Sequence, residues 1–337
     1  MLTREDSEKR EYDILSEFAA KAADSKGRAK PEGKCKLRTD FQRDRDRIIH
    51  SKALRRLMHK TQVFLAPEGD HFRTRLTHTL EVNQISGTIA RALMLNEDLT
   101  TAIAMGHDLG HTPFGHNGED ILNNIHPGGF KHNVQSLRVV DVLEKSGGKR
   151  GMNLTKEVRD GILNHTGKGI PETLEGQVVK ISDRIAYINH DIDDAIRSNI
   201  IDGEDLPPQC VKVLGETKKL RIDTLVNDLV RHSDGKDKIT QGEECAFYMN
   251  ELRAYMFKNI YHNKQVKKDE ELEKVDTIIT ELYHYYIKHP DRLPEEYQNM
   301  IHEFGVHEMV KDQIAGMTDR YAIDTFAKNF IPEGWNG

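Results

Sequence analysis

The chain of 337 residues is 31% charged and 37% hydrophobic, with a formal net charge of −6 and a mean hydropathy of −0.66. This length suffices to bury a large core, and the negative balance is atypical of a dedicated nucleic-acid-binding protein, which usually carries a basic excess. Three widely separated cysteines, Cys35, Cys210 and Cys245, indicate a reducing compartment rather than a disulfide framework. The charged N-terminus and the lack of a long apolar run predict neither a signal peptide nor a membrane helix, so we expect a cytoplasmic location.

The first 37 residues form a predicted N-terminal region, with a short helix near 6–23 and then a flexible charged link. A second helix is predicted over 39–60, where Thr39 or Asp40 could serve as the N-cap. Its polar side is densely basic: Arg43, Arg45, Arg47, Lys52, Arg55 and Arg56. Such a face is usually solvated, but its place just before a histidine-rich region leaves contact with an anion as the alternative. A loop or short hairpin is predicted over 61–73.

Two helices follow, at 74–95 and 98–108. On the first, Val82, Ile85, Ile89 and Leu93 form one apolar stripe, and His78 falls on the same stripe, so its side chain should point inward. The second has almost no polar face and ends in His107-Asp108. Because an unpaired buried carboxylate is costly, we expect a cationic group beside Asp108.

The segment 107–119 carries three histidines and two carboxylates among glycines and a proline. Glycine and proline place ionisable side chains on turns. A short helix is predicted at 118–125, and longer ones at 132–146, 154–166 and 174–199. On the last, Asp183, Tyr187 and Asp191 recur every four residues, so they form one polar row that suggests the wall of a cleft.

Helical patterns continue to the C-terminus, at 208–231, 242–261, 270–288, 294–302 and 305–328. No convincing strand run or internal repeat interrupts them. The sequence therefore predicts an all-α protein.

His78, His107, Asp108 and Asp183 lie at predicted inward or cleft-facing positions of three helices. Two imidazoles and two carboxylates suit a divalent ion such as Mn²⁺, Fe²⁺, Ni²⁺, Zn²⁺ or Mg²⁺. Such an ion would also supply the positive charge that a buried Asp108 needs. The alternative is that an inward histidine such as His78 is an ordinary core residue.

Further histidines lie beyond this predicted metal set. His111 and His116 follow on the glycine- and proline-rich loop, and Glu119 is close enough in sequence to orient His116. A histidine held by a carboxylate is a general acid/base unit. His132 is nearby in sequence, and each of these side chains could instead be an exposed loop histidine.

The pattern His78, His107-Asp108 and Asp183 resembles the signature of the HD-domain metal-dependent phosphohydrolases. A closer resemblance, to the dGTPase-like deoxynucleoside triphosphate triphosphohydrolases, covers about residues 38–195 and rests on RTDFQRDRDRIIHSK at 38–52, KTQVF at 60–64, TRLTH at 74–78, HDLGHTPFGHNGE at 107–119 and SDRIAY at 182–187. It implies an HD-domain helical bundle at 38–200 with additional C-terminal helices packed on it at 201–337.

The resemblance also implies a reaction and site roles. Such enzymes hydrolyse a deoxynucleoside triphosphate to the deoxynucleoside and inorganic triphosphate, with the metal held by His78, His107, Asp108 and Asp183. The implied catalytic residues are His116, which with Glu119 transfers protons, and His111. Phosphate or sugar contact is implied for His111 and His132, and phosphate contact for Arg75 and Arg184. Sugar contact is implied for Tyr187 and Asp191, and a sugar or base contact for Gln62.

Family members include cyclic homo-oligomers, often hexamers, that respond to nucleotides or single-stranded DNA. The resemblance therefore implies a homo-oligomer with such an effector, and it does not indicate the preferred base. Two other functions stay open: an HD phosphohydrolase that acts on another nucleotide phosphoester, and a nucleotide- or single-strand-binding regulator with weak turnover.

Overall fold

The computed structural model describes residues 1–62, 73–261 and 269–332. Within these ranges the protein is almost entirely helical, which confirms the predicted all-α class. The α-helices, numbered α1 to α17, span Arg4–Ile14, Asp40–Ile49, Lys52–Arg56, Arg75–Ala92, Glu97–Gly106, Gly115–Ile125, His132–Arg138, Lys156–Asn164, Leu174–Arg197, Pro208–Leu214, Lys218–Ser233, Glu243–Met256, Asp269–Lys288, Glu295–Gln298, Ile301–Phe304, Val306–Ala315 and Asp319–Phe330.

Shorter elements connect these helices. Single 3-10 turns lie at Ala22–Asp24, Leu57–His59, Gly203–Asp205 and Pro290–Arg292, and π-helical turns lie at Val139–Leu143 and Phe257–Tyr261. Strands β1 (Lys145–Ser146) and β2 (Lys149–Arg150) form a small antiparallel hairpin. Most of the predicted loop at 61–73, with Val63 and Phe64 of the motif at 60–64, lies outside the described residues. No helix in the described part of the chain combines the length and apolar character that crossing a membrane requires.

Side-chain caps define where the central helices begin. Thr74 precedes α4, Asn96 precedes α5 and Thr173 precedes α9, and each side chain accepts the backbone N–H of the third helical residue. Such a bond satisfies an N–H that has no partner within the helix and contributes about 1 kcal/mol. These local signals explain why the predicted starts at 74, 98 and 174 lie within one residue of the observed ones.

Several predicted helices are shorter than expected or divided. The one at 6–23 ends at Ile14. The predicted helix at 39–60 is divided because Ser51 caps the start of a separate helix, α3. The predicted helix at 208–231 is divided because Gly215, with a φ of +123°, ends α10. The one at 305–328 is divided because Thr318 caps α17. Apolar spacing can continue across such a break, so the periodicity of the sequence overestimated these lengths.

Helix α4 lies within the larger of two hydrophobic clusters and packs against α5 and α9. Its predicted stripe is buried, with Val82, Ile85 and Ile89 each at most 2% exposed. Helices α2 and α8 pack on α5. Burial of each large aliphatic side chain contributes roughly 1.5–3 kcal/mol, so this packing fixes the relative positions of the three helices that carry the predicted metal ligands.

A second hydrophobic cluster joins α6 to the C-terminal helices α13, α16 and α17. Leu122 of α6, for example, is buried there with Ile279 of α13 and Met309 of α16. Helices α11 and α12 instead contribute Leu225, Leu229, Met249 and Leu252 to the first cluster. Residues after 200 therefore support both clusters, and the predicted boundaries at 37/38 and 200/201 stay predictions.

The arginines of α2 are paired with carboxylates. Nη2 atoms of Arg43 and Arg47 lie 2.9 and 2.5 Å from Oε2 of Glu32, and Nη1 of Arg45 lies 2.5 Å from Oδ1 of Asp98. These pairs tie α2 to the N-terminal segment and to the start of α5. This part of the predicted basic face is therefore an ion-paired surface.

Candidate active site

Three packed helices bring the four predicted metal ligands together. His78 lies on α4, His107 and Asp108 follow α5, and Asp183 lies on α9. Nε2 of His78 lies 3.0 Å from Oδ1 of Asp183 and 4.0 Å from Oδ2 of Asp108. Nε2 of His107 lies 3.4 Å from Oδ1 of Asp108 and 3.9 Å from Oδ1 of Asp183. Residues up to 105 positions apart in sequence thus form one buried cluster.

The orientation of the His107 ring suits a metal ligand. Its Nδ1 lies 2.7 Å from the carbonyl oxygen of Ala104 and donates to it, which leaves Nε2 as the ring nitrogen that faces the cluster. That Nε2 is buried and has no hydrogen-bond partner among the described residues. A second hydrogen bond that orients a ligand histidine is the usual arrangement in metal sites. His78, His107 and Asp108 place one ligand atom each within 4.8 Å of the others, which suits a divalent cation.

Asp108 is stabilised as a carboxylate by the positive groups around it. Its side chain is buried, and Nη1 of Arg75 donates to its Oδ2 at 3.0 Å. Burial opposes ionisation, but His107, His111 and Arg75 together hold the pKa of Asp108 well below its usual range. The cationic neighbour that the sequence predicted for Asp108 therefore includes Arg75.

A second group of histidines, His111, His132 and His165, also lies near Asp108. Nε2 of His111 lies 3.3 Å from its Oδ1, and the rings of His111 and His132 stack with their centroids 4.0 Å apart. Nε2 of His132 lies 3.3 Å from Nε2 of His165. Burial and the nearby histidines lower the pKa of His165 to about 3, so its ring is neutral at pH 7.

Glu119 contacts two histidines rather than one. It accepts the backbone N–H of His132 at 2.9 Å and lies 2.9 Å from Nδ1 of the same residue, whereas Nδ1 of His116 is 3.4 Å away. Burial lowers the pKa of His132, but the hydrogen bond and the charge of Glu119 outweigh it and raise that pKa above its ordinary value. The His116 side chain is 68% exposed. The pair predicted between His116 and Glu119 is present, and Glu119 holds His132 more closely.

Two nitrogen donors of Arg75 do not bond to Asp108. Arg75 is 1% exposed, and its Nε and Nη2 have no hydrogen-bond partner within the part of the chain that the structure describes. Gly115, the first residue of α6, lies against Nη2 and against the backbone oxygen of Gln62. Gly115 has a φ of +60°, so a larger residue there would be strained and would crowd the guanidinium. Arg75 and Gln62 therefore lie beside the start of α6, whose first turn carries His116; this helix begins at Gly115 rather than at the predicted 118.

The polar row on α9 continues from the metal cluster. Tyr187 and Asp191 lie one and two turns after Asp183, with Tyr187 partly buried and Asp191 buried. The Tyr187 hydroxyl accepts a hydrogen bond of 2.8 Å from Nε of Arg253, on α12. Arg184 is partly buried on the same helix. Helix α9 thus carries four of the predicted site residues: Asp183, Arg184, Tyr187 and Asp191.

Two parts of the site were not predicted from the sequence. His165 follows α8, and its Nδ1 donates 2.7 Å to the carbonyl oxygen of Ile162. His190 is buried on α9, its Nδ1 lies 2.8 Å from Glu81, and its ring centroid is 6.1 Å from that of His78. His190 lies seven residues, about two turns, after Asp183, so helical spacing alone could have indicated it. No comparable local signal distinguishes His165, which reaches the cluster through the packing of α8 on α5 and α9.

The chain is similar to known proteins along nearly its whole length. The HD domain family matches residues 75–188, and the phosphohydrolase-associated domain family matches residues 239–328. A deoxyguanosinetriphosphate triphosphohydrolase-like protein of Caldanaerobacter subterraneus subsp. tengcongensis is 55% identical, over 99% of this chain and 98% of that protein. Proteins of the same name from Desulfatibacillum aliphaticivorans and Clostridium tetani are 48% and 47% identical, over 98% and 93% of this chain and 99% and 92% of theirs. The chain belongs to the deoxyguanosinetriphosphate triphosphohydrolase-like family.

Membership of the deoxyguanosinetriphosphate triphosphohydrolase-like family confirms the resemblance seen in the sequence motifs. The HD domain match begins at Arg75 and ends one residue after Tyr187, so it contains all four candidate ligands. The phosphohydrolase-associated match covers most of α12 to α17, including Arg253. The protein is therefore an HD-domain phosphohydrolase of this family, with a buried histidine and aspartate cluster that could hold a divalent metal ion.

Proposed function

We propose that this protein hydrolyses deoxynucleoside triphosphates, dGTP among them, to the deoxynucleoside and inorganic triphosphate with a bound divalent ion. The observation that carries the proposal is the junction of two groups at Asp108. Asp108 lies close to His78 and His107 of the candidate metal ligands and also to His111, whose ring stacks on that of His132. A cluster that could hold a divalent ion next to several histidines is suited to water-dependent cleavage of a phosphoester. The names of the relatives point to a nucleoside triphosphate as the substrate.

In this proposal His78, His107, Asp108 and Asp183 hold the ion, which can be Mn²⁺, Mg²⁺, Fe²⁺ or Ni²⁺ with this donor set. When bound, such an ion polarises a phosphate oxygen and lowers the pKa of a coordinated water. The reaction adds the oxygen of water to the α-phosphorus and breaks the bond from that phosphorus to the 5′ oxygen. The deoxynucleoside leaves with a proton, and the triphosphate departs intact.

The charges around the cluster support the phosphate-binding part of the proposal. Among the described residues, Nη2 and Nε of Arg75 have no hydrogen-bond partner beside Gly115 at the start of α6, and a guanidinium matches the geometry of phosphate oxygens. The raised pKa of His132 favours its protonated form, which would face a triphosphate as a cation. We assign Arg184 and His111 to the same anionic part of the substrate.

Proton transfer is assigned to His116. Its exposed ring and its contact with Glu119 at 3.4 Å leave it able to reach a substrate and to be reoriented by the carboxylate. A histidine in this position can give a proton to the departing 5′ oxygen. Glu119 therefore has two roles, since it also holds His132.

Tyr187 and Asp191 are assigned to the sugar, and Gln62 to the sugar or the base. The hydrogen bond from Arg253 limits rotation of the Tyr187 ring, so a phenol held beside C2′ would exclude a ribose hydroxyl by crowding. Asp191 is assigned to the 3′-hydroxyl. As further parts of the proposal, the enzyme works in the cytoplasm as a homo-oligomer, for which a hexamer is the candidate, with a nucleotide or single-stranded DNA as effector.

The test is product analysis with each of the four deoxynucleoside triphosphates and with their mixture, in the presence of Mn²⁺ or Mg²⁺. We expect deoxynucleoside and inorganic triphosphate in equal amounts from at least one substrate. Release of orthophosphate alone, or of no product under any condition, would refute the proposal and favour another HD phosphohydrolase reaction or a binding protein.

Two variants separate the metal cluster from the acid/base residues. His107→Ala should lose both metal content and turnover. His116→Ala should keep the metal and lose turnover by about 10²–10⁴, the usual contribution of a positioned acid/base group. Loss of metal from His116→Ala would show that the assignment of roles is wrong.

A further inference from the structure

The carboxylate of Asp319 joins two segments of the candidate active site that are far apart in sequence. Asp319 is the first residue of α17, and its side chain is buried. Its Oδ2 accepts the backbone N–H of Thr61 at 3.0 Å and the hydroxyl of Thr61 at 2.7 Å. Its Oδ1 accepts the backbone N–H of Phe114 at 3.0 Å. One side chain of the C-terminal region therefore binds residues 258 and 205 positions earlier in the chain.

The place of Asp319 in its own helix does not account for these bonds. A carboxylate in the first turn of a helix is favoured by the helix dipole, and an N-cap side chain accepts one of the N–H groups at the start of the helix. In α17 the capping role belongs to Thr318, whose side chain accepts the N–H of Tyr321. The carboxylate of Asp319 is directed instead at Thr61 and Phe114.

Phe114, one of these two partners, has a strained backbone. Its φ of +61° and ψ of +23° lie in the left-handed region, which a residue with a large side chain seldom adopts. Gly115 follows with a φ of +60°, so two consecutive residues are left-handed directly before His116. Such strain persists only where the surrounding structure over-determines it, and it is concentrated at functional sites.

Contacts from several directions hold this turn. The N–H of Phe114 binds Asp319, and the hydroxyl of Thr112 donates to the carbonyl oxygen of Gly115 at 2.9 Å. The Phe114 ring is buried in the second hydrophobic cluster. Asp319 supplies the charged acceptor of this set, and hydrogen bonds to an ionised group are about twice as strong as those between neutral groups. Weakening of this bond would therefore allow the strained turn to relax.

The other end of the Asp319 bridge lies next to Gln62. A β-carbon on Gly115 would lie 3.0 Å from the backbone oxygen of Gln62 and 3.2 Å from Nη2 of Arg75. The turn before α6 and the segment at Thr61 are thus in close contact. Asp319 binds both segments at the place where they meet.

We propose that Asp319 is a positioning residue of the active site, which fixes the start of α6 and with it His116 relative to Gln62. The inference rests on the proposed function for the role of His116 in proton transfer. Asp319 does not contact the substrate in this scheme, and it acts through the backbone of Phe114 and Thr61. Helix α17 thereby determines the geometry of a catalytic residue on α6.

The first test compares Asp319→Asn with the wild type as full-length protein loaded with Mn²⁺. An amide has the size of a carboxylate but presents an NH₂ group to one of the two partners, so one side of the bridge is lost. We expect kcat to fall by about 10–10²-fold with metal content unchanged, since a displacement of about 1 Å is enough for such a loss. The matched control is Asp324→Asn, an exposed change on the same helix, which should keep the kcat of the wild type.

A double variant separates positioning from a general structural role. If Asp319 acts through His116, Asp319→Asn should have at most about a twofold further effect in the His116→Ala background, whereas independent effects multiply. Thr61→Val removes only the hydroxyl bond to Asp319 and gives the same test if Asp319→Asn fails to fold. A wild-type kcat in Asp319→Asn, multiplied losses in the double variant or loss of metal from Asp319→Asn would overturn the proposal.

Hydrogen exchange tests the contact without any substrate. Amides at 114–116 should exchange about tenfold or more faster in Asp319→Asn than in the wild type, with those at 102–105 of α5 unchanged. Equal exchange at 114–116 in the two proteins would overturn the proposal even if kcat falls. If the wild type releases no triphosphate from any deoxynucleoside triphosphate, the proposed function is refuted, and exchange alone then decides whether Asp319 holds the turn before His116.

Discussion

Gly110→Ala tests how closely the active-site loop must approach the helix that carries His132. A β-carbon on Gly110 would lie 2.6 Å from the carbonyl oxygen of His132, and nearer still to the backbone nitrogen of Ser136. Ordinary contact begins at 3.4 Å and the nearest atom, the nitrogen of Ser136, lies at 2.1 Å, so the loop and α7 would have to separate by about 1.3 Å. Backbone atoms on both sides oppose this movement.

The cost follows from the contacts that the separation disrupts. Oγ of Ser136 accepts the N–H of Gly110 at 2.9 Å and donates to the carbonyl oxygen of His107 at 2.7 Å. Two buried hydrogen bonds contribute about 1 kcal/mol each, and overpacking costs typically about 1–3 kcal/mol. We therefore expect the free energy of unfolding to fall by about 3–5 kcal/mol. Turnover of the folded fraction should fall by about 10²-fold, since a shift of about 1 Å is enough for that.

Urea denaturation followed by circular dichroism measures the first effect, and a product assay at low temperature measures the second. Gly33→Ala is the matched control, because a β-carbon there meets no atom within 4 Å, and its stability should match that of the wild type. If Gly110→Ala stays within 1 kcal/mol of the wild type, or if the control loses as much stability, the close approach of loop and helix does not position the site.

Three further predictions concern single side chains. Glu119→Gln should lower turnover by about 10²–10⁴ with metal content unchanged, because it removes the charge that raises the pKa of His132; metal analysis beside a product assay checks this, and loss of metal contradicts it. Arg75→Lys keeps a charge near Asp108 but lacks the additional guanidinium donors, so the KM for substrate should rise by about tenfold or more; an unchanged KM would exclude Arg75 from substrate binding. Burial raises the pKa of Glu175 from 4.5 to about 7. Its contribution to stability is therefore complete below pH 4.5 and is lost as the pH rises through 7. The free energy of unfolding should fall by about 3 kcal/mol over this range. Glu175→Gln should abolish that loss in melting temperatures measured from pH 4.5 to 8, and an unchanged pH profile would show that Glu175 is not the group responsible.

Local patterns predicted much of the site. His78 shares a stripe with Val82 and Ile85, so an inward position followed from a spacing of three or four residues. Asp183 and Asp191 were likewise related by helical spacing. In each case the prediction depends only on residues within about two turns, and the caps at helix starts add signals of the same short range.

Other features depend on contacts between distant segments. Glu119 was assigned to His116, three residues before it, but it also holds His132, thirteen residues after it, at a shorter distance. Periodicity also continued across Gly215, where the backbone leaves the helix because of its positive φ. A pattern of apolar residues does not record such a break.

The sequence by itself determined the all-α class, the stretches that become helices and the four residues that could bind a metal, because helical periodicity and capping act over a few residues. Only the tertiary structure decided that Arg75 neutralises Asp108, that His165 joins the histidine cluster and that Lys60 bonds to the loop at His111. These contacts join residues 33 or more positions apart. They form when α4, α5, α8 and α9 pack on one another, and no spacing along the chain encodes which side chains then meet.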